Sequence, residues 1–139
     1  MNQFRVHLRQ STKGQVIFMD NTFKLTEKLY RAVYPPEVAD LYWKKDGSIS
    51  SAAFADPKGL SVDRQGNRDE GDVIDHMRQQ FNGHILSIYV KTCESIGAVV
   101  RYLPSKQNCY HSEIHGSQDT VLLSKAQRRY LASHARICD

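Results

Sequence analysis

Much of the reactive chemistry in this sequence is concentrated in one stretch, Cys109-Tyr110-His111-Ser112-Glu113-Ile114-His115. Imidazole and carboxylate groups move protons near neutral pH and orient one another, and with thiolate they also bind zinc-like metals. On an extended strand alternate residues share a face. Cys109, His111, Glu113 and His115 then project from one side, and Tyr110, Ser112 and Ile114 from the other. Strand positions four apart are separated by about 13 Å, so these four cannot all bind one ion, and no metal site is assigned. Glu113, His111 and His115 are the catalytic candidates, for proton transfer. The plain alternative is a solvated polar face opposite a core of Tyr110 and Ile114.

Paired histidines act as base and acid in phosphodiester cleavage, with Arg or Lys stabilising the phosphorane. His111 and His115 fill those roles in a ribonuclease-like reading, with His84 or Arg101 in support. Nucleophilic chemistry at Cys109 is weaker, because it needs an imidazole partner in an electropositive pocket.

A second group lies earlier in the chain. In Lys28 to Tyr34 (KLYRAVY) alternation puts Arg31 on the face of Leu29 and Val33. A guanidinium there must snorkel, form a salt bridge, or grip a carboxylate or phosphate with its fork. Ser50, Ser51, Phe54 and Ser61 follow, the serines serving as phosphate donors or as turn residues.

The elements that position these residues can be read from pattern. Gln3 to Leu8 and Gln15 to Met19 flank Ser11-Thr12-Lys13-Gly14 and predict a β-hairpin within residues 1–20. Lys28 to Tyr34 is a third strand, stopped by Pro35-Pro36, with a short helix over Glu37 to Trp43. Asp56-Pro57-Lys58-Gly59 is a turn before the short run Leu60 to Asp63. Arg64 to Gly71 reads as an exposed, mobile loop and a candidate lid. Val73, Ile74, Met77 and Phe81 predict a helix over Asp72 to Phe81. His84 to Val90, Ala98 to Leu103 and Cys109 to His115 are further strands, with a helical turn at Thr92 to Ile96. Leu123, Ala126, Tyr130 and His134 predict a helix over Val121 to Ile137. Without regular strand–helix alternation, the expectation is one α+β domain over residues 1–139, with a mainly antiparallel sheet. Two principal helices are expected, the longer one C-terminal.

Composition agrees with that reading. A chain of 139 residues, 40% hydrophobic and 24% charged, is long enough to bury a core without a metal or disulfide. Three widely spaced cysteines, an amino terminus without an apolar block and the lack of a long apolar run predict a reduced, cytoplasmic protein with no membrane partner. A net charge of +4 permits phosphate-rich partners without demanding them.

The order LYRAVYP, SSAAFADPKGLSVDR, then a strand bearing His111 and Glu113 resembles ADP-ribosyltransferase-like domains and their small NAD-cleaving toxin relatives. The resemblance implies that Arg31 binds the NAD phosphates and that Ser51 and Phe54 line the nicotinamide pocket. Glu113, or Glu70, would orient the ribose and stabilise oxocarbenium-like charge. It implies a small toxin or defence effector acting on NAD or a nucleotide, with NAD as substrate and no cofactor required. RNA is the ligand of the ribonuclease-like alternative. A non-enzymatic accessory or antitoxin-like protein is the rival class, its basic last helix meeting nucleic acid or a protein partner.

Overall fold

The expected N-terminal hairpin forms from β1 (His7–Gln10) and β2 (Val16–Met19), paired antiparallel with His7 opposite Met19. The computed structural model describes the backbone of residues 7–10 and 16–138 and the side chains of residues 19–138. The early part of the first expected strand, from Gln3, and the turn Ser11 to Gly14 lie outside the described residues.

The next strand, β3 (Lys28–Val33), buries Leu29 and Val33 on one side and Tyr30 on the other, so it needs cover on both faces. It lies inside a six-stranded sheet with β4 (Leu60–Arg64), β5 (His84–Tyr89), β6 (Val99–Tyr102), β7 (His111–His115) and β8 (Arg136–Ile137). The spatial order is β6-β7-β4-β3-β5-β8, and every neighbouring pair is antiparallel. Helices α1 (Glu70–Arg78), α2 (Val90–Ser95) and α3 (Lys125–His134) complete an α+β fold. No helix among the described residues is long and apolar enough to cross a membrane.

The sheet has two unlike faces. On one, Leu29, Val33, Leu60, Val62, Leu86, Ile88 and Ile114 form the main core with Phe54, α2 through Val90 and Cys93, and α3 through Leu131. Burial pushes the Cys93 thiol up to about 12, so it stays protonated as a core residue. On the other face, Val73 and Met77 of α1 cover Tyr30 and Ile85. Each such buried side chain contributes about 1.5–3 kcal/mol. That cluster reaches only the β3–β5 half of the sheet. The β4-β7-β6 half carries polar side chains on the same side.

Four expectations need correction. The last helix is shorter than Val121 to Ile137. Ser124 and Gln127 close a capping box that starts it at Lys125, and Ala135 is already extended, so Arg136–Ile137 becomes the edge strand β8. The helix expected over Glu37 to Trp43 is a turn followed by a single 3-10 turn, Asp40–Tyr42. The strand expected to begin at Cys109 begins at His111, because the Asn108 side chain turns the backbone there by accepting from Tyr110 N–H. The candidate lid, Arg64 to Gly71, is pinned. Arg64 is buried, bonded to both Glu27 carboxylate oxygens at 2.9 Å and to the carbonyls of Asp20 and Thr22. Arg68 stacks on the Tyr110 ring, 3.4 Å from its centroid, and Glu70 already opens α1.

Candidate functional site

Strand pairing decides which residues meet. Ser61 lies opposite Glu113 and Asp63 opposite His111 across the β4–β7 pair. Arg101 lies opposite Glu113, and Val99 opposite His115, across β6–β7. Directly opposed residues share a face. Ser61, Asp63, Arg101, His111, Glu113 and His115 therefore form one polar patch.

Within it the side chains form a chain of contacts. Arg101 Nε donates to His115 Nδ1 at 3.2 Å. That nitrogen must carry a lone pair, which places the imidazole proton on Nε2, 2.8 Å from Glu113 Oε1. The other carboxylate oxygen, Glu113 Oε2, lies 3.6 Å from His111 Nε2. Glu113 thus sits between two imidazoles. Both ring nitrogens of His115 are engaged, and its side chain is 13% exposed, against 29% for His111. Of the two, only His111 combines access to solvent with a ring nitrogen, Nδ1, outside this chain of contacts. At the rim, Arg101 Nη2 also reaches the carbonyl and side-chain oxygens of Gln118 at 3.2 Å, and Asn108 donates to Asp63 Oδ1 at 2.8 Å.

Gly59, in the turn before β4, packs directly against this group. Its φ is +112°, and a β-carbon there would clash with Glu113 Oε1 and lie 3.3 Å from His115 Nε2. Sequence reading places Gly59 in a turn but gives it no link to the site. The D-P-K-G order signals the turn alone; the partner lies 54 positions away.

Arg31, Ser51 and Phe54 are elsewhere. Tyr30 pairs with Asp63, and Asp63 with His111, so Tyr30 shares the face of the polar patch. Arg31, the next residue, projects from the opposite face. Its Nε donates to the carbonyl of Ala53 at 2.8 Å and its Nη1 to that of Ser61 at 3.0 Å. Burial draws the guanidinium below its usual value, with Asp56 and Tyr42 opposing. Ser51 opens the 3-10 turn Ser51–Phe54, and Phe54 is fully buried in the core. The structure brings His111, Glu113 and His115 together and leaves the Arg31, Ser51 and Phe54 set across the sheet.

The remaining candidates have other partners. His84 packs edge-on against Trp43, with ring centroids 5.0 Å apart. Glu70 accepts from Lys28 Nζ and Tyr30 Oη, both at 3.0 Å, and from Arg136. Cys109 is buried with Met19, Tyr102 and Tyr110, apart from the His111 row. Among the described residues no group of three or more His, Cys, Asp or Glu side chains is arranged to hold a metal ion. No protein-family model, curated protein or solved structure matches the chain.

Proposed function

We propose that this domain performs general acid–base chemistry on a phosphate-bearing ligand of the nucleotide type, a phosphodiester such as RNA before NAD. The observation that carries the reading is Glu113 held between His111 and His115, with Arg101 fixing the far nitrogen of His115. A carboxylate whose two oxygens both face imidazoles serves to orient them and to stabilise imidazolium, not to act as a lone base. His111 is then the group that moves a proton. It takes the proton of an attacking hydroxyl as the new oxygen–phosphorus bond forms and the bond from phosphorus to the leaving oxygen breaks; the leaving oxygen takes a proton from water, and the proton held on His111 neutralises the hydroxide that remains. Arg101, beside the row, supplies positive charge for an anionic ligand.

The same arrangement weighs against a glutamate-centred cleavage of NAD, which needs Glu113 and Arg31 at one ligand. Parallel incubations with a fluorogenic RNA oligonucleotide and with NAD test the choice. RNA cleavage that falls about 10²–10⁴-fold in His111→Ala, the usual contribution of such a group, is the expected result. Intact RNA, or cleavage unchanged in His111→Ala, overturns the reading. Nicotinamide release that requires Arg31 and survives loss of His111 replaces it with the NAD-cleaving one.

A further inference from the structure

A groove of about 810 Å³ runs between the segment 116–124 and the first turns of α3. Its apolar lining comes from Ile96, Leu122, Leu123, Ala126 and Tyr130. Leu123 is buried and forms the floor, whereas Leu122 is 42% and Tyr130 37% exposed. Val121, beside them in sequence, is 39% exposed. The walls are tied together. Gln127 Nε2 donates to the carbonyls of Ile96 at 3.1 Å and Gly116 at 2.9 Å, and Gly116 N–H bonds the Val121 carbonyl at 3.1 Å. A β-carbon at Gly116 would strike the Leu122 carbonyl, so close approach of the two segments needs glycine there.

The charged side chains that line this groove have one sign. Lys125 and Arg128 are its only charged lining residues among those described, and Arg129 follows them on the exposed side of the helix. Asp119, in the wall segment but not in the lining, is the nearest carboxylate in sequence, and from Thr120 to Cys138 there is no Asp or Glu. Apolar side chains left in water beside Lys125 and Arg128, whose Nη1 already donates to the Leu123 carbonyl at 2.6 Å, suit a ligand that brings both apolar surface and carboxylates. Leu122 and Val121 offer no stacking surface to a nucleobase, and one face of the Tyr130 ring is already stacked on His134, with centroids 4.0 Å apart. Aliphatic contact favours a protein segment over RNA.

We propose that this groove docks a short acidic, amphipathic segment of a protein partner. The segment's apolar side chains enter between Leu122, Ala126 and Tyr130, and its carboxylates meet Lys125 and Arg128. The inference is independent of the chemistry at His111, which lies on the other face of the sheet.

A display library of random peptides of about 12 residues, a length that covers the anchor spacing of grooves of this kind, tests it on the full chain. Selection is expected to enrich peptides that combine Leu, Ile or Phe with Asp and Glu. Measured by fluorescence anisotropy, the enriched peptides should bind at least about tenfold more weakly to Leu122→Glu, the loss typical of a central contact residue. Lys125→Glu should also weaken them, as should raising the salt from about 50 to about 500 mM, which shortens the screening length. Both substitutions are at exposed positions, and unchanged thermal unfolding of the variants separates lost docking from lost folding. Enrichment of basic or uncharged sequences overturns the proposal, as does binding indifferent to Leu122→Glu or failure to enrich any sequence. Displacement of the peptides by a single-stranded RNA that binds more tightly assigns the surface to nucleic acid instead.

Discussion

The polar patch depends on a residue with no side chain. Gly59 lies in the left-handed half of backbone space, and its α-carbon leaves room for the carboxylate of Glu113. Gly59→Ala adds two costs, the strain of a β-carbon at positive φ, about 1 kcal/mol, and displacement of Glu113 from His115. The expected outcome is loss of stability of at least that size in urea unfolding. Changed ¹⁵N shifts of the His115 ring should accompany it as Nε2–H loses its acceptor. A stability loss with the His115 ring unchanged would show that the strain, and not the carboxylate, was the whole effect. At this scale the sequence was partly readable. Alternation along one strand suffices to place His111, Glu113 and His115 on one side. It cannot reach Gly59 or Gln118, whose roles come from turns brought in by the fold, and it offers Arg101 only as one of two supports. The cross-strand register that seats Arg101 opposite Glu113 is tertiary information.

At the scale of elements, one carboxylate adds a side-chain tie to β8 beside its backbone pairing with β5. Glu70 opens α1 and binds Lys28 and Tyr30 of β3 and Arg136 of β8, so it joins a helix to two strands. Burial by itself raises the Glu70 carboxyl, but the three hydrogen bonds outweigh it and hold the group below its usual range. A carboxyl lowered by folding stabilises the native state above its unfolded pKa, about 4.3 for glutamate. That contribution is lost as pH falls through the lower, folded value. Amide exchange at Cys138, whose N–H bonds the Ile85 carbonyl at 2.8 Å, gives a local readout. Protection of that amide is expected to persist at neutral pH and to be lost at acid pH, as the solution passes below the unfolded-state value and through the lower native one. In Glu70→Gln the protection should be weak at both pH values. Equal protection in the two proteins would mean that backbone pairing with β5 holds β8 unaided. The helical periodicity of the last segment gave no sign of β8, because Leu131 and Cys138, seven positions apart, fit one helical face until the backbone turns at Ala135. The start read at Val121 also overlooks the Ser124-Lys125-Ala126-Gln127 capping box that begins the helix at Lys125.

For the whole molecule, the central question is which face of one strand continues which face of another. Arg31 and Glu113 each look like site residues when their own strands are read alone. Pairing across β3, β4 and β7 then puts them on opposite sides of the sheet. No pattern within either segment carries that relation, since shifting the register by one residue would reverse it. In the folded chain the Arg31 guanidinium ties the Ala53 and Ser61 carbonyls, joining the 3-10 turn to β4. Arg31→Met keeps much of the side chain's length but leaves both carbonyls without their donor; the Ser61 carbonyl can turn to water, whereas the buried Ala53 carbonyl left unpaired costs about 1–3 kcal/mol. The substitution should therefore lower unfolding stability markedly. It should leave the ratio between wild-type and His111→Ala cleavage rates the same in the folded protein. The stability losses of Arg31→Met and His111→Ala should add to within about 0.5 kcal/mol, as they do for sites that share no partner. A coupling clearly larger than that would mean the sheet transmits strain between its faces. The scaffold on one side and the imidazole row on the other could then no longer be treated as separate.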